Sequence, residues 1–269
     1  MSAAAGRISL PMYDFPPSQE ANDAFVRALV AALPAGLADA ERLVSSDVAQ
    51  LWRGADLLLS QACGYPLMTG FREDVAYVAT PHYSLPGCEG PRYCSVFLVA
   101  ADSPAASLAD LQGARVAING RDSQSGHNCL RFAVAPLAQG KPFFSRVFET
   151  GRHLLSAAAV GSGEADLAAI DCVTHGLAMR DAPGRLAGTR VLGFSASAPG
   201  LPLVTAASAT PETIAALRAG LDQVMADPSL AAVRKALALS GVSVLPAGAY
   251  QEILDMETAA ADLGYAVLR

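Results

Sequence analysis

At 269 residues, with 52% hydrophobic and only 16% charged residues, the chain is long enough for two domains, or for one domain in two lobes. A net charge of −6 leaves no basic stripe to neutralise phosphates, which argues against wholesale nucleic-acid binding. No apolar run reaches the roughly 18–20 residues that span a bilayer, so membrane insertion is not expected.

The opening, MSAAAGRISLPMYD, lacks the apolar core of a signal peptide. Two readings stay open: residence in the cytoplasm, or export with a leader already removed. RISL (7–10) is strand-like and leads through PMYDFPPS to an amphipathic helix near Gln19–Leu33, with Ser18 as its cap. ADLLLS (55–60) is a short strand followed by QACGYPL. DVAYVATP and CSVFLVAADS are extended, and Val96–Ala101 alternates little, as in a strand covered on both faces. SLADLQG is a short helix with Ser107 capping it and Gly113 stopping it. ARVAIN is a strand, and the loop GRDSQSG then opens a helix.

That helix sets Cys129, Phe132, Ala133, Pro136 and Leu137 at i, i+3, i+4, i+7 and i+8, one apolar face, which Pro136 kinks or ends. SRVFET reads as strand, GRHLLSAAAV as helix, ADLAAID as strand and CVTHGLAMR as helix. TRVLGFSASAPGLPLVTA returns as extended chain. From Thr210 three helices follow, in TPETIAALRAGLDQVMA, PSLAAVRKALALSG and GAYQEILDMETAAADLG, with a proline at the first helical position. This alternation is that of an α/β fold with mainly parallel sheets. The extended pieces 93–101 and 191–206 read as crossings between lobes. The expected division is an outer lobe of residues 1–95 plus 201–269 and a middle lobe of residues 96–200.

In open α/β sheets ligands sit beyond the carboxyl ends of the strands. Five loops occupy that position: PMYDFPP, QACGY, GRDSQSG, TGRH, and Asp171 with its neighbours. Ser123 and Ser125 offer hydroxyls, and Gly126 lets backbone N–H groups approach a guest at a helix start, which together make an anion site. The competing reading is that either serine only caps the helix. His153 opens another helix, where the dipole disfavours its cation and a neutral donor is expected. Asp171 ends an apolar strand. It either caps the next helix or accepts a hydrogen bond from an oxyanion that still carries a proton, since a carboxylate can only accept. Arg121 and Arg152 flank the loops, and exposure is the default for both.

The five cysteines, Cys63, Cys88, Cys94, Cys129 and Cys172, include no CxxC pair, which argues against a disulfide framework and against a structural zinc site. Cys88 and Cys94 are close enough in CEGPRYC either to bridge in an oxidising compartment or to stay reduced.

YCSVFLVAADSPAASLADLQGARVAINGRDSQSGHN, TGRHLLSAAAVGSGEADLAAID and APGLPLVT, in that order, resemble the phosphate/phosphite/phosphonate-type substrate-binding proteins of ABC transporters. SLPMYD, LLLSQACGYPL and PGCEGPRY extend the likeness to about Thr205. The resemblance implies a type II periplasmic-binding-protein fold, with two α/β lobes around a hinged ligand cleft, and a periplasmic location once any leader is removed. It implies a small oxyanion ligand, an ABC permease as partner, no cofactor and no metal. The family's hydroxyl-rich loop falls on Ser123, Gln124, Ser125 and Gly126, its helix-opening histidine on His153 and its strand-end aspartate on Asp171. Its aromatic contacts look similar to Tyr13, Tyr93 and Tyr65. Gln124 stands where the family often has threonine, and a longer amide there changes the expected pocket size.

Two other classes compete with a binding protein. A cytoplasmic ligand sensor uses the same clamp with a different partner. A hydrolase is suggested by the residue types of Ser123, His153 and Asp171, but RDSQSG lacks the GxSxG elbow that exposes a nucleophile.

Overall fold

The computed structural model describes residues 6–44 and 47–269; the first five residues, part of the stretch read for a leader, lie outside the described residues. In chain order the elements are β1 (Gly6–Ser9), α1 (Gln19–Ala32), β2 (Ala40–Arg42), α2 (Val48–Trp52), β3 (Leu57–Gln61), α3 (Gly64–Thr69), β4 (Val75–Tyr83), β5 (Arg92–Tyr93) and β6 (Ser95–Ala100). Next come β7 (Arg115–Ile118), α4 (Cys129–Ala138), β8 (Arg146–Glu149), α5 (His153–Gly161), β9 (Leu167–Asp171), α6 (Cys172–Asp181) and β10 (Thr189–Phe194). The chain ends with β11 (Ala198–Pro199), β12 (Leu203–Ala206), α7 (Pro211–Ala226), α8 (Ala231–Ala236), β13 (Leu239–Ser243) and α9 (Gln251–Asp262).

The chain forms two compact units, residues 1–84 with 200–247 and residues 85–199 with 248–269. In the first, the sheet order is β13-β4-β12-β3-β1-β2. Strand β1 lies parallel to β2 and β3, whereas β12 and β13 enter antiparallel. Ile8, Leu59 and Val78 from the sheet meet Phe25 and Leu29 of α1 and Leu217 and Leu221 of α7 in one core. In the second unit the order is β10-β6-β9-β7-β8. There β7 runs parallel to β8 and β9, and β6 and β10 are antiparallel. The expectation of mainly parallel sheets is corrected to two mixed sheets. Strands reached by the long extended pieces, β6 and β12, enter in the reverse direction because no crossover helix precedes them.

The division also differs from the one expected. Residues 85–95 belong to the second unit, and the extended piece 93–101 is internal to it, because β6 pairs on both sides with β9 and β10. The C-terminal residues 248–269 belong there too: α9 packs on α4, and Ala260, Tyr265 and Leu268 join Leu130 and Val134 in its core. An apolar helix face carries no label saying which core it covers, so this was not legible in the sequence.

Three local readings change for identifiable reasons. Ser18 is buried and its hydroxyl makes no cap bond. Cys129 of the expected face is buried, but the rest of the buried face of α4 is Leu130, Arg131, Val134, Ala135 and Ala138, with Phe132 and Ala133 half-buried and Pro136 and Leu137 exposed. Nearly every position of that helix is apolar, so periodicity could not select a face. The helix read over 228–241 is short. Ala238 adopts a left-handed φ of 53°, and the chain turns into β13 along the edge strand β4.

A candidate oxyanion site at the strand ends of the second unit

Strands β7, β8 and β9 run parallel, so the residues that follow them gather at one edge of the sheet. Ser123, Gln124, Ser125 and Gly126 follow β7, His153 follows β8, and Asp171 is the last residue of β9. All belong to the second unit.

The loop after β7 enters α4 through a wide helical turn over Gln124–Asn128, in which the Asn128 N–H reaches back to the Ser123 carbonyl at 3.0 Å. Wide turns of this kind, with bonds five residues apart, are rare and occur frequently at functional sites. Ser123 is its cap, its hydroxyl accepting from the Gly126 N–H at 2.9 Å. The N–H groups of Gln124 and Ser125 lie ahead of the first intrahelical bond, where the positive end of the helix dipole is exposed.

Ser125 is fixed from two sides. Its hydroxyl lies 3.0 Å from His153 Nε2, and its carbonyl accepts a 2.7 Å bond from the Ser95 hydroxyl. Ser95 is also the cross-strand partner of Asp171, so it links the loop to the end of β9. Burial pushes the His153 imidazole down to about 4, so it is neutral near pH 7. His127, buried on the same turn, is pushed down to about 4 mainly by burial and then by Arg131 and Arg121. Two cations near the loop are paired, Arg121 with Glu149 at 3.2 Å on the surface and buried Arg131 with Glu257 at 3.2 Å, and Arg152 is exposed beside His153. Residues 123–126 therefore present hydroxyls and N–H groups beside a neutral imidazole, with the charged Arg121 and Asp122 of the same loop exposed.

Gly126 leaves room for the Asn119 side chain. A Cβ there would stand 1.8 Å from Asn119 Oδ1 and 3.3 Å from His153 Cε1. Gln124 is fully buried, and its amide turns inward: Nε2 contacts the sulfurs of Cys129 and Met256 at 3.3 Å each, and Oε1 accepts from Asn128 at 2.7 Å. Its length therefore fills the interior under α9 and does not set the size of a pocket at the loop. The Asp171 carboxylate caps α6, with Oδ1 accepting from Val173 and Thr174 N–H at 2.8 and 2.9 Å. Tyr93 is buried on β5 in this unit, whereas Tyr13 and Tyr65 are buried in the first unit, Tyr13 edge-on to Tyr83 at 5.1 Å.

The serine–histidine pair involves Ser125, while Ser123 is committed as a cap acceptor and Asp171 Oδ1 to α6. That arrangement differs from the Ser123–His153–Asp171 triad weighed from sequence. Among the described residues no group of three or more His, Cys, Asp or Glu is arranged to hold a metal ion, and no helix is long and apolar enough to cross a membrane. Sequence reasoning missed Ser95, Asn119 and the buried Arg131, which holds Asn128 and the Ala266 carbonyl. Their signal was a polar residue at the end of an apolar strand or within an apolar helix, which no spacing rule singles out.

A two-unit α/β chain whose parallel strand ends converge on a neutral, hydroxyl-rich helix start has the architecture of a type II periplasmic binding protein. Solved structures agree on the fold. A binding-protein component of an ABC phosphonate transporter from Pseudomonas aeruginosa superposes with a TM-score of 0.76 at 17% identity, over 96% of this chain and 87% of that one. PhnD1 from Prochlorococcus marinus in complex with methylphosphonate gives 0.72 at 15% identity, over 94% and 97%. A Xanthomonas citri protein bound to chloride gives 0.72 at 17% identity, over 98% and 100%. No curated protein matches the chain significantly. Residues 55–247 match the family described as the periplasmic substrate-binding protein of phosphonate ABC transporters, and the chain belongs to that family. It is a substrate-binding protein and not an enzyme.

Proposed function

We propose that the chain binds a small phosphorus oxyanion of the phosphonate, phosphite or phosphate type at the start of α4 and delivers it to an ABC permease in the periplasm. The Gln124 and Ser125 N–H groups and the hydroxyls of Ser123 and Ser125 are its first contacts, Gln124 serving through its backbone. His153 donates as a neutral imidazole, and Asp171 accepts from a protonated oxygen or a neighbouring hydroxyl on the ligand. Tyr93, in the same unit, joins the contact set on the strength of the resemblance.

One observation carries the reading: the Ser125–His153 pair at 3.0 Å, beside an N–H-rich helix start. Uncharged donors bind an anion by hydrogen bonds and dipoles, so affinity does not depend on forming and breaking an ion pair. Such a site suits a protein that must both capture its ligand and release it.

The test is a thermal-shift and calorimetric screen against methylphosphonate, phosphite, phosphate and sulfate. A cognate ligand at 100 times its dissociation constant adds about 2.7 kcal/mol of stability. No shift with any phosphorus oxyanion would overturn the reading.

A further inference from the structure

Three of the five cysteines meet in the second unit, beside Ser95 and Asp171, the neighbours of Cys94 and Cys172 in the chain. Cys88 lies in the loop before β5, Cys94 between β5 and β6, and Cys172 at the first position of α6. The Cys88 and Cys172 sulfurs are 3.5 Å apart across 84 residues of chain. Cys172 is held in register against Cys94 by two contacts, its N–H on the Cys94 carbonyl at 3.1 Å and its sulfur against the Cys94 N–H at 3.5 Å. Gly87, at a left-handed φ of 92°, presses the loop onto the cluster; a Cβ there would stand 2.7 Å from the Cys94 sulfur and 2.9 Å from Cys172 Cβ. Half-buried Cys88 borders a hollow of about 280 Å³ with Glu89, Phe194 and Ser195; Cys94 is buried but also touches that hollow, whereas Cys172 is buried and outside its lining. The Cys88 thiol is thus reachable from solvent and its neighbour Cys172 is not.

We propose that Cys88 and Cys172 form an intramolecular disulfide by exchange with an external disulfide such as glutathione disulfide. The Cys88 thiolate attacks one sulfur of the external disulfide, that S–S bond breaks, and one glutathione thiolate leaves. Cys172 then loses its proton to solvent, attacks the Cys88 sulfur of the mixed disulfide and expels the second glutathione. Two protein thiols are oxidised and one external disulfide is reduced to two thiols. Closing the bond requires the sulfurs to move from 3.5 Å to about 2.05 Å, within the reach of side-chain rotation in the Cys88 loop. The bridge that spacing in CEGPRYC left open would pair Cys88 with Cys94; the fold places the sulfur of a residue 84 positions away opposite that of Cys88.

The second step is the slower one. The groups facing Cys172 are Cys88, Cys94 and the Asp171 carboxylate; the contact with Cys88, burial and the negative charge of Asp171 raise its thiol above the ordinary range. Its thiolate fraction, and with it the rate of ring closure, rises about tenfold per pH unit.

The experiment treats the full chain with glutathione disulfide, quenches it with acid, alkylates it with N-ethylmaleimide after denaturation and maps its peptides by mass spectrometry. The expected product has lost about 2 Da, contains a Cys88–Cys172 linked peptide and carries maleimide on Cys63, Cys94 and Cys129. Closure should be about tenfold faster at pH 8 than at pH 7. The variant C88S should stay fully reduced, and C94S should still close the same bond. A reaction that stops at a glutathione adduct on Cys88, a link between any other pair, or closure independent of pH would overturn the proposal. The wild-type peptide map decides even where C172S fails to fold.

Discussion

The starts of α4 and α6 are built alike and capped differently. Each follows a strand of the parallel set, β7 or β9, and each has N–H groups of its opening turn held by a side chain: Ser123, five residues past the end of β7, and Asp171, the last residue of β9. At α4 the cap is the neutral Ser123 hydroxyl, which takes one N–H. At α6 it is the Asp171 carboxylate, which takes two. A hydroxyl cap leaves the positive end of the dipole for a guest, whereas a carboxylate cap cancels it. Under the proposed function the two helix starts, linked through Ser95, divide the work: one attracts the anion, and the other disfavours an anion whose facing oxygen has no proton to donate.

The largest effect should come from removing what makes the α4 start a donor. The double substitution Ser123→Ala and Ser125→Ala is expected to abolish oxyanion binding, a loss beyond about 100-fold, or 2.7 kcal/mol. Calorimetry with methylphosphonate measures it, and a change within about twofold means that the serines serve only as cap and spacer. Next in size is Gly126→Ala. With a Cβ placed 1.8 Å from Asn119 Oδ1, the loop must shift, at a cost of about 2 kcal/mol. A melting temperature unchanged within 1 °C, against an expected fall of roughly 4–8 °C, would show that Asn119 simply swings aside.

Much of this architecture was legible because strands and helices differ in period: β7, β9, α1, α5 and α6 lie where alternation, caps and glycine stops set them. The site positions at strand ends followed from the same logic. What each side chain does there was not legible. Ser123 and Ser125 are two residues apart in one loop, yet one faces its own helix and the other faces His153, 28 residues on. Gln124 lies between them and points into the core. Those directions are set by the wide turn at Gln124–Asn128, and a single extra residue in a helical turn leaves no mark in hydrophobic periodicity. The edge strand β13 was hidden for a related reason: AVRKALALSG suits a helix locally, and only the pairing with β4 overrides that preference.

A smaller effect tests whether the α4 start must stay uncharged. The folded value of His153, about 4, lies below its ordinary 6.5. As pH falls the unfolded chain takes up this proton first. The stability tied to the neutral ring is therefore intact above about pH 6.5 and is lost as pH drops towards 4, at up to about 1.4 kcal/mol per unit. The substitution His153→Asn removes this part of the slope between pH 6.5 and 4 in denaturant titrations, leaving the part due to His127, His175 and His82, which burial also lowers. An identical slope in wild type and variant would mean that His153 is not held neutral.

The smallest effect on the fold and the sharpest on selectivity belongs to Asp171→Asn. Asparagine caps helices about as well as aspartate, so stability should stay within about 0.5 kcal/mol. Ligand discrimination should change, because the amide can donate where the carboxylate could only accept. Wild type should favour the ligand form that retains a proton and lose affinity as pH rises through the ligand's last ionisation. The variant should bind the fully ionised form and show a flatter profile. Superimposable affinity–pH curves would make Asp171 a cap and nothing more, and the two helix starts would then differ in charge without differing in function.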